Sequence, residues 1–222
     1  DRFFTHAGHE FRTPLASIQS SAELIQLYSD RMSEERKAEH LDLIGEHVTH
    51  LASLLEDVLT LGKAQVIGVE FKPERIDLAA FCQQIVKDMQ LIAHKHEIVL
   101  SLEVSTCDQI HADSKLLSKA LKNLLSNAIK YSPKTPLVWF TANCTETEIS
   151  FSIRDQGIGI PPAEQQYLFE LFHRGSNVGT IQGTGLGLTI VRQAAEAHQG
   201  DIIVESDPGS GSTFTLKIPL TA

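Results

Sequence analysis

The sequence predicts two domains of different class. The first is an N-terminal helical hairpin over residues 1–66, pairing with a second copy into a four-helix bundle. The second, over residues 67–222, is an α/β sandwich whose mixed sheet carries helices on one face. Three observations lead there. From Asp1 to about Ala64 apolar side chains recur at steps of three and four, the spacing of one helical face. After Gln65-Val66-Ile67-Gly68 the pattern changes to strands interspersed with helices. Those strands have mostly sequence neighbours as partners, which favours antiparallel or mixed pairing with helices gathered on one side.

In the hairpin, Phe11, Leu15, Ile18, Ala22 and Ile25 form the seam of the first helix, and Leu41, Ile44, Val48, Leu51, Leu55 and Val58 that of the second. Tyr28 to Glu35 is polar between them, with Asp30 and Ser33 available as caps and Glu34 and Glu35 in the next first turn. Leu24, Leu27, Leu54, Leu59 and Leu61 fall outside a two-helix seam. A stripe that wide needs a second copy to cover it, so a homodimer is expected.

Beyond residue 67, Val69 to Ile76 reads as extended, with Pro73 marking an edge. Asp77 caps a helix reaching about His94, and Ile98 to Val104 alternates as a strand. Asp113 caps a helix from Ser114 to about Tyr131, stopped before Pro133. Strands follow at Leu137–Cys144 and Glu148–Arg154, then a glycine loop, a short helix from about Pro162 to Phe172 and a polar stretch from His173 to Gln182. QGTGLGLTIV opens a last helix, which Gly200 stops. A hairpin of Ile202–Glu205 and Thr213–Ile218 around PGSGS ends the fold.

The composition, 42% hydrophobic and 21% charged over 222 residues, suits folded domains. A net charge of −9 argues against nucleic acid or an anionic membrane as partner, so any phosphate site must rely on local donors and a metal ion. No apolar run reaches membrane-spanning length and no signal-peptide pattern opens the chain. The fragment is therefore expected to be soluble and cytoplasmic without membrane contact; an inner-membrane anchor would belong to other parts of the intact protein. Cys82, Cys107 and Cys144 are far apart without a CxxC, and read as buried small hydrophobes rather than a disulfide or zinc framework. His47 and His50 share a helical face and read as solvated polar positions.

Chemistry concentrates in a few strings. In GTGLGL, Gly183, Gly185 and Gly187 precede a helix, where backbone N–H groups and the helix dipole can hold an oxyanion. Asn123 and Asn127, four apart, share a helical face; amide oxygens are hard ligands suited to magnesium. Lys130 supplies a cation for phosphate and Tyr131 a flat surface for a base. Asp155 ends a strand before Gly157 and Gly159, placed to accept from an exocyclic amine. Arg174 follows an apolar run and can reach toward phosphate.

Taken together and in order, HEFRTPL (His9–Leu15), NLLSNAIKYS (Asn123–Ser132), DQGIGIP (Asp155–Pro161), LFELFHRG (Leu168–Gly175) and GTGLGL (Gly183–Leu188) resemble the five boxes of bacterial two-component sensor histidine kinases. The resemblance spans essentially the whole chain. It implies a dimerisation and histidine-phosphotransfer hairpin followed by an ATP-binding domain of the kind shared with DNA gyrase and Hsp90. The implied activity is that of an ATP- and Mg2+-dependent protein-histidine kinase, passing its phosphoryl group to an aspartate on a response regulator receiver domain and dephosphorylating that regulator. Family members usually carry serine before the histidine; here it is Gly8.

Carried over by position, the resemblance makes His9 the phosphoacceptor, Glu10 the acid that orients the imidazole or takes its proton, and Asn127 the principal magnesium ligand. Asn123, Lys130 and Arg174 meet the phosphates, Tyr131 packs by the adenine and Asp155 reads its amino group, with Gly157 and Gly159 beside it. Gly183, Thr184, Gly185, Leu186 and Gly187 form the phosphate-facing backbone. Thr13, four residues after His9, places water for dephosphorylation. Pro14 removes a backbone bond to the Glu10 carbonyl and should bend the helix beside His9. The stretch from His173 to Gln182 is expected to act as a lid over the nucleotide.

Overall fold

The computed structural model describes residues 2–93, 95–104, 107, 109–179, 181 and 183–220, with backbone alone at 2–6, 9 and 65–67. The chain divides into two compact units, Asp1–Gly68 and Val69–Ala222.

The first unit is a hairpin of α1 (Arg2–Tyr28) and α2 (Glu34–Ile67), joined through a 3-10 turn at Ser29–Arg31. Ser33 caps α2, its Oγ accepting from Arg36 N at 3.3 Å, with Glu34 and Glu35 in the first turn. Such a cap satisfies a donor that the helix cannot. His40 Nδ1 lies 3.3 Å from Ser21 Oγ, which fixes the register of the two helices. Two turns along from that pair lie Pro14 and His47; two more bring Ala7 and Leu54.

The buried positions follow this heptad. Ala7, Pro14 and Ser21 are buried on α1, and His47, Leu54 and Leu61 on α2. The seam read from the sequence is thus one face off. Leu41, Val48 and Leu55 are 59%, 52% and 50% exposed, whereas Leu54, placed outside the seam, is fully buried. His47 is buried too, not solvated, and its Nδ1 has no hydrogen-bond partner among the described residues. The mis-assignment has a simple cause: apolar residues occupy more than one face of α2, so periodicity alone cannot say which face meets α1 and which stays outside.

In the second unit, Asp77 ends β1 (Glu74–Asp77) and caps α3 (Leu78–Ile92), its Oδ1 accepting from Ala80 N at 2.8 Å. β1 pairs antiparallel with β3 (Gln109–Ala112), a strand the sequence reading missed, in a two-stranded sheet. Pro73 lies just before β1 rather than within it. The main sheet contains β2 (Glu97–Glu103), β4 (Leu137–Cys144), β5 (Glu148–Arg154), β6 (Asp201–Asp207) and β7 (Gly211–Pro219). Its order is β2-β4-β5-β7-β6, with β2 parallel to β4 and the other pairs antiparallel.

Val138, Phe140, Ala142, Ile149, Phe151 and Ile153 alternate onto the buried face of that sheet. They share a core with α3, α4 (Ser114–Tyr131) and α6 (Gly187–Ala197) through Cys82, Ile85, Leu117, Leu121, Leu124, Val191 and Ala194. This is the expected mixed sheet with helices on one face. The helix expected from Pro162 to Phe172 shortens to α5 (Pro162–Gln165) followed by turns, and Phe172 has a φ of 61°, which no helix accommodates.

Cys107 and Cys144 form a disulfide with Cα atoms 6.2 Å apart, correcting the reading of unpaired thiols. Parallel pairing brings the ends of β2 and β4 side by side, Glu103 opposite Asn143, and Cys107 N donates to the Val104 carbonyl at 3.1 Å. Sequence spacing cannot show a parallel pairing of this kind. Cys82 stays free, and burial pushes its thiol up to about 12. Among the described residues no helix is long and apolar enough to cross a membrane.

Candidate active site

The second half of α4 organises the site. Its apolar face, including Leu121, Leu124, Leu125 and Ala128, is buried in the core, which leaves Asn123, Asn127, Lys130 and Tyr131 half-buried on the other side. Three glycines at the entry to α6 pack closely around this face and the turn beside it. A Cβ on Gly187 would lie 2.8 Å from Asn123 Oδ1, and one on Gly183 would overlap the Lys130 ammonium. Gly185, at φ 67°, lies against Phe172 and His173, and its carbonyl accepts from Phe172 N at 3.1 Å. α6 begins without a side-chain cap, although Leu186 N donates to Thr184 Oγ1 at 3.2 Å. The loop therefore delivers an open helix N-terminus beside Asn123, a place suited to an anion.

Lys130 carries the clearest electrostatic signature. Its Nζ lies 4.8 Å from the centroid of the Tyr131 ring. Burial, reinforced by the positive charge of Arg174, lowers its pKa to about 8. No carboxylate pairs with it among the described residues. An ammonium kept in a poorly solvated place without a counter-charge is a group that an incoming phosphate would satisfy. Burial also raises the Tyr131 phenol, against the opposing pull of Arg174. The Asn127 amide has no hydrogen-bond partner among the described residues, so its oxygen is available as a ligand.

Asp155, buried after the end of β5, is held firmly. Its Oδ1 accepts from Gly157 N at 2.7 Å and Ser212 N at 3.2 Å, and its own N–H donates to the Ser212 carbonyl at 2.9 Å. Burial raises its pKa, while the bonds from Gly157, Ser212 and Ser132 oppose the rise. Ser132 and Ser212 were not singled out in the sequence. One adjoins Tyr131 and the other lies in the PGSGS turn, but only the tertiary fold brings them to Asp155.

Gly157 and Gly159 face protein backbone. A side chain on Gly157 would overlap the Tyr131 carbonyl, and one on Gly159, at φ 64°, would overlap the Asp207 carbonyl. Ile158 N donates to the Tyr131 carbonyl at 3.1 Å, which locks the Asp155 turn onto the end of α4. In the segment after Phe172, Arg174 Nη2 donates to the Ile181 carbonyl at 2.5 Å, and Asn177 Nδ2 donates to the Gly159 carbonyl at 2.8 Å. Thr180 and Gln182 of the expected lid lie outside the described residues.

The structure thus gathers Asn123, Asn127, Lys130, Tyr131, Asp155, Gly157, Gly183 and Gly187 around the end of α4, with Arg174 near enough to shift its neighbours' charge. His9, Glu10 and Thr13 belong to the other unit, on α1 with Pro14 inside the helix. Glu10 is half-buried and Thr13 exposed; the His9 side chain lies outside the described residues.

Comparison with known proteins covers both units. Residues 1–66 match the model of the His Kinase A (phospho-acceptor) domain, and residues 112–222 that of the histidine kinase-, DNA gyrase B- and HSP90-like ATPases. The chain is 33% identical to the circadian input-output histidine kinase CikA of Thermosynechococcus vestitus over 98% of its own length and 30% of that protein's. It spans about a third to a half of the length of the curated relatives it matches. Among solved structures it is similar to the Acinetobacter baumannii histidine kinase AdeS, with a TM-score of 0.74 and 26% identity, covering 96% of this chain and 98% of that one. It is likewise similar to full-length ShkA in complex with AMPPNP, with a TM-score of 0.70 and 29% identity, covering all of this chain and 46% of the other. With the two family matches following one another in the order that the five strings require, the chain belongs to the two-component sensor histidine kinases and comprises their catalytic core.

Proposed function

We propose that this chain is an ATP-dependent protein-histidine kinase that phosphorylates His9 and passes the phosphoryl group to an aspartate on a response regulator receiver domain. The observation that carries the reading is the half-buried Lys130 ammonium, without a carboxylate partner among the described residues, between the Tyr131 ring and the glycine loop. A nucleotide triphosphate supplies both the negative charge that Lys130 lacks and the flat base that Tyr131 and Asp155 suit. The similarity to a kinase solved with AMPPNP, an ATP analogue, supports the same ligand here.

In this assignment Asn123, Lys130 and Arg174 hold the phosphates, helped by the backbone of Gly183, Thr184, Gly185, Leu186 and Gly187. Asn127 is the protein ligand of Mg2+. One amide oxygen would be enough, because magnesium needs few protein ligands when phosphate is present. Bound there, the ion neutralises charge on the phosphates. The transfer breaks the bond between the γ-phosphorus and its bridging oxygen, releases ADP and forms a nitrogen–phosphorus bond at His9, whose displaced proton passes to Glu10. Thr13, exposed one turn beyond His9, positions water for dephosphorylating the regulator.

Residues 1–66 act in this account as the dimerisation and phosphotransfer domain and residues 67–222 as the catalytic domain. Leu15, Leu24, Leu27, Leu41, Val48, Leu55 and Leu59, exposed along both helices of the hairpin, support a homodimeric bundle. The test is incubation with magnesium and γ-labelled ATP. Acid-labile, alkali-stable label is expected on this chain and absent from the His9→Gln variant. Label retained by that variant, or steady ATP hydrolysis with no labelled protein, would reject the reading.

A further inference from the structure

α4 and α6 run antiparallel. At one end of the pair Gly187, the first residue of α6, closes on Asn123; at the other, His198 after α6 meets Asp113, the cap of α4. Both ring nitrogens of the buried His198 are used. Nδ1 lies 2.7 Å from the Ala194 carbonyl and must donate to it, so Nε2 is an acceptor and takes the Asp113 N–H at 3.0 Å. This requires a neutral ring. Burial lowers the His198 pKa, against the opposing influence of the Ala194 bond and the Asp113 charge.

Asp113 is occupied in the same way. Its Oδ1 accepts from Lys115 N and Leu116 N, each at 3.0 Å, and closes the first turn of α4. Its Oδ2 accepts from Lys72 N at 2.8 Å, and the Phe71 ring packs edge-on against His198, centroids 4.9 Å apart at 88°. Phe71 and Lys72 belong to the segment between Gly68, which ends α2, and β1. The chain leaving the hairpin is therefore fastened, by one backbone bond and one aromatic contact, to the point at which the two helices are tied.

We propose that His198 is a positioning residue for the nucleotide site: with Asp113 it sets the spacing of α4 and α6 and couples that spacing to the Phe71–Lys72 segment. A shift of this segment then changes nucleotide binding at the other end of the helix pair, ten to eleven residues or about 15 Å away. Loss of the Nε2 acceptor leaves the buried Asp113 N–H unpaired and frees α6 to slide along α4, which separates the glycine loop from Asn123 and Lys130. The inference rests on the nucleotide reading given above.

The test measures the affinity of the full chain for a fluorescent ATP analogue with magnesium, beside thermal melting without nucleotide. His198→Leu keeps much of the volume and removes both bonds; it is expected to weaken binding about tenfold. His198→Gln, whose amide oxygen can take the Asp113 N–H, should recover most of that loss. Phe71→Ala leaves the bonds of His198 in place and removes only the ring packed on it; about threefold weaker binding is expected, at an unchanged melting temperature. Wild-type affinity in Phe71→Ala, or in a folded His198→Leu, would overturn the proposal while leaving the nucleotide site intact. If His198→Leu does not fold, Phe71→Ala decides. An unmutated chain that binds no nucleotide would remove the reading itself, and the proposal with it.

Discussion

The two units differ in how much of their apolar surface they enclose. The α/β unit encloses Phe140, Phe151, Leu117, Leu121 and Leu124 almost completely. The hairpin buries Ala7, Leu54 and Leu61 beside Ser21, His47 and Asp57, and leaves Leu15, Leu27, Leu41, Val48 and Leu55 outside. A region whose large apolar residues are mostly enclosed has less to gain from association, whereas one that leaves leucines along its surface gains further hydrophobic stabilisation from a partner. The contrast follows from geometry: two helices can enclose only one narrow seam, while a sheet covered by three helices encloses a layer.

The contrast can be broken most severely in the core. Phe140→Ala, which empties the centre of the sheet–helix layer, is expected to destabilise the α/β unit by about 3–5 kcal/mol, read from denaturant unfolding. Nucleotide binding should fall only with the folded fraction. Next in size, Leu55→Glu puts a charge into the outer stripe of α2 and should weaken self-association by about 3 kcal/mol, or more than a hundredfold, in sedimentation equilibrium. Nucleotide affinity should not change, because the α/β unit does not depend on that stripe.

A smaller effect comes from Lys130. With its pKa at about 8, the ammonium is present below pH 8 and lost above it, so nucleotide affinity should decline about fivefold between pH 8 and 9 in a titration against pH. The stability of the nucleotide-free unit moves in the opposite direction. Its unfolded state holds this proton up to the ordinary lysine range, so rising pH relieves the burial of charge and adds stability between about 8 and 10.5. Of about the same size, His47→Leu replaces a buried imidazole whose Nδ1 has no partner among the described residues and should raise the hairpin's stability by about 1 kcal/mol in thermal melting.

Legibility from the sequence followed locality. The caps Ser33, Asp77 and Asp113, the end of α4 before Pro133 and both strands of the last hairpin depend on residues close in the chain, and each stands where the pattern placed it. Much of the candidate site was legible for the same reason, since Asn123, Asn127, Lys130 and Tyr131 occupy one helix and the glycines one loop. The β1–β3 pair, the Cys107–Cys144 disulfide and the bonds between Ser212 and Asp155 depend on residues far apart in sequence, and no local pattern announces them. The face of α2 that meets α1 was misread because leucine and valine occupy both candidate faces. Burial there is decided by register with α1, which the Ser21–His40 contact fixes.

The glycines around the site do not all answer to the same pressure. Gly157, Gly159 and Gly211 abut the carbonyls of Tyr131, Asp207 and Asp155, which cannot move without dismantling the sheet or α4. Gly183 abuts only the tip of a lysine. In a saturating variant library, alanine at the first three would deplete the amount of protein recovered from cells, whereas alanine at Gly183 would leave abundance intact and weaken nucleotide binding. Clinical or environmental variants at these positions would sort the same way, into loss of the molecule and loss of its ligand.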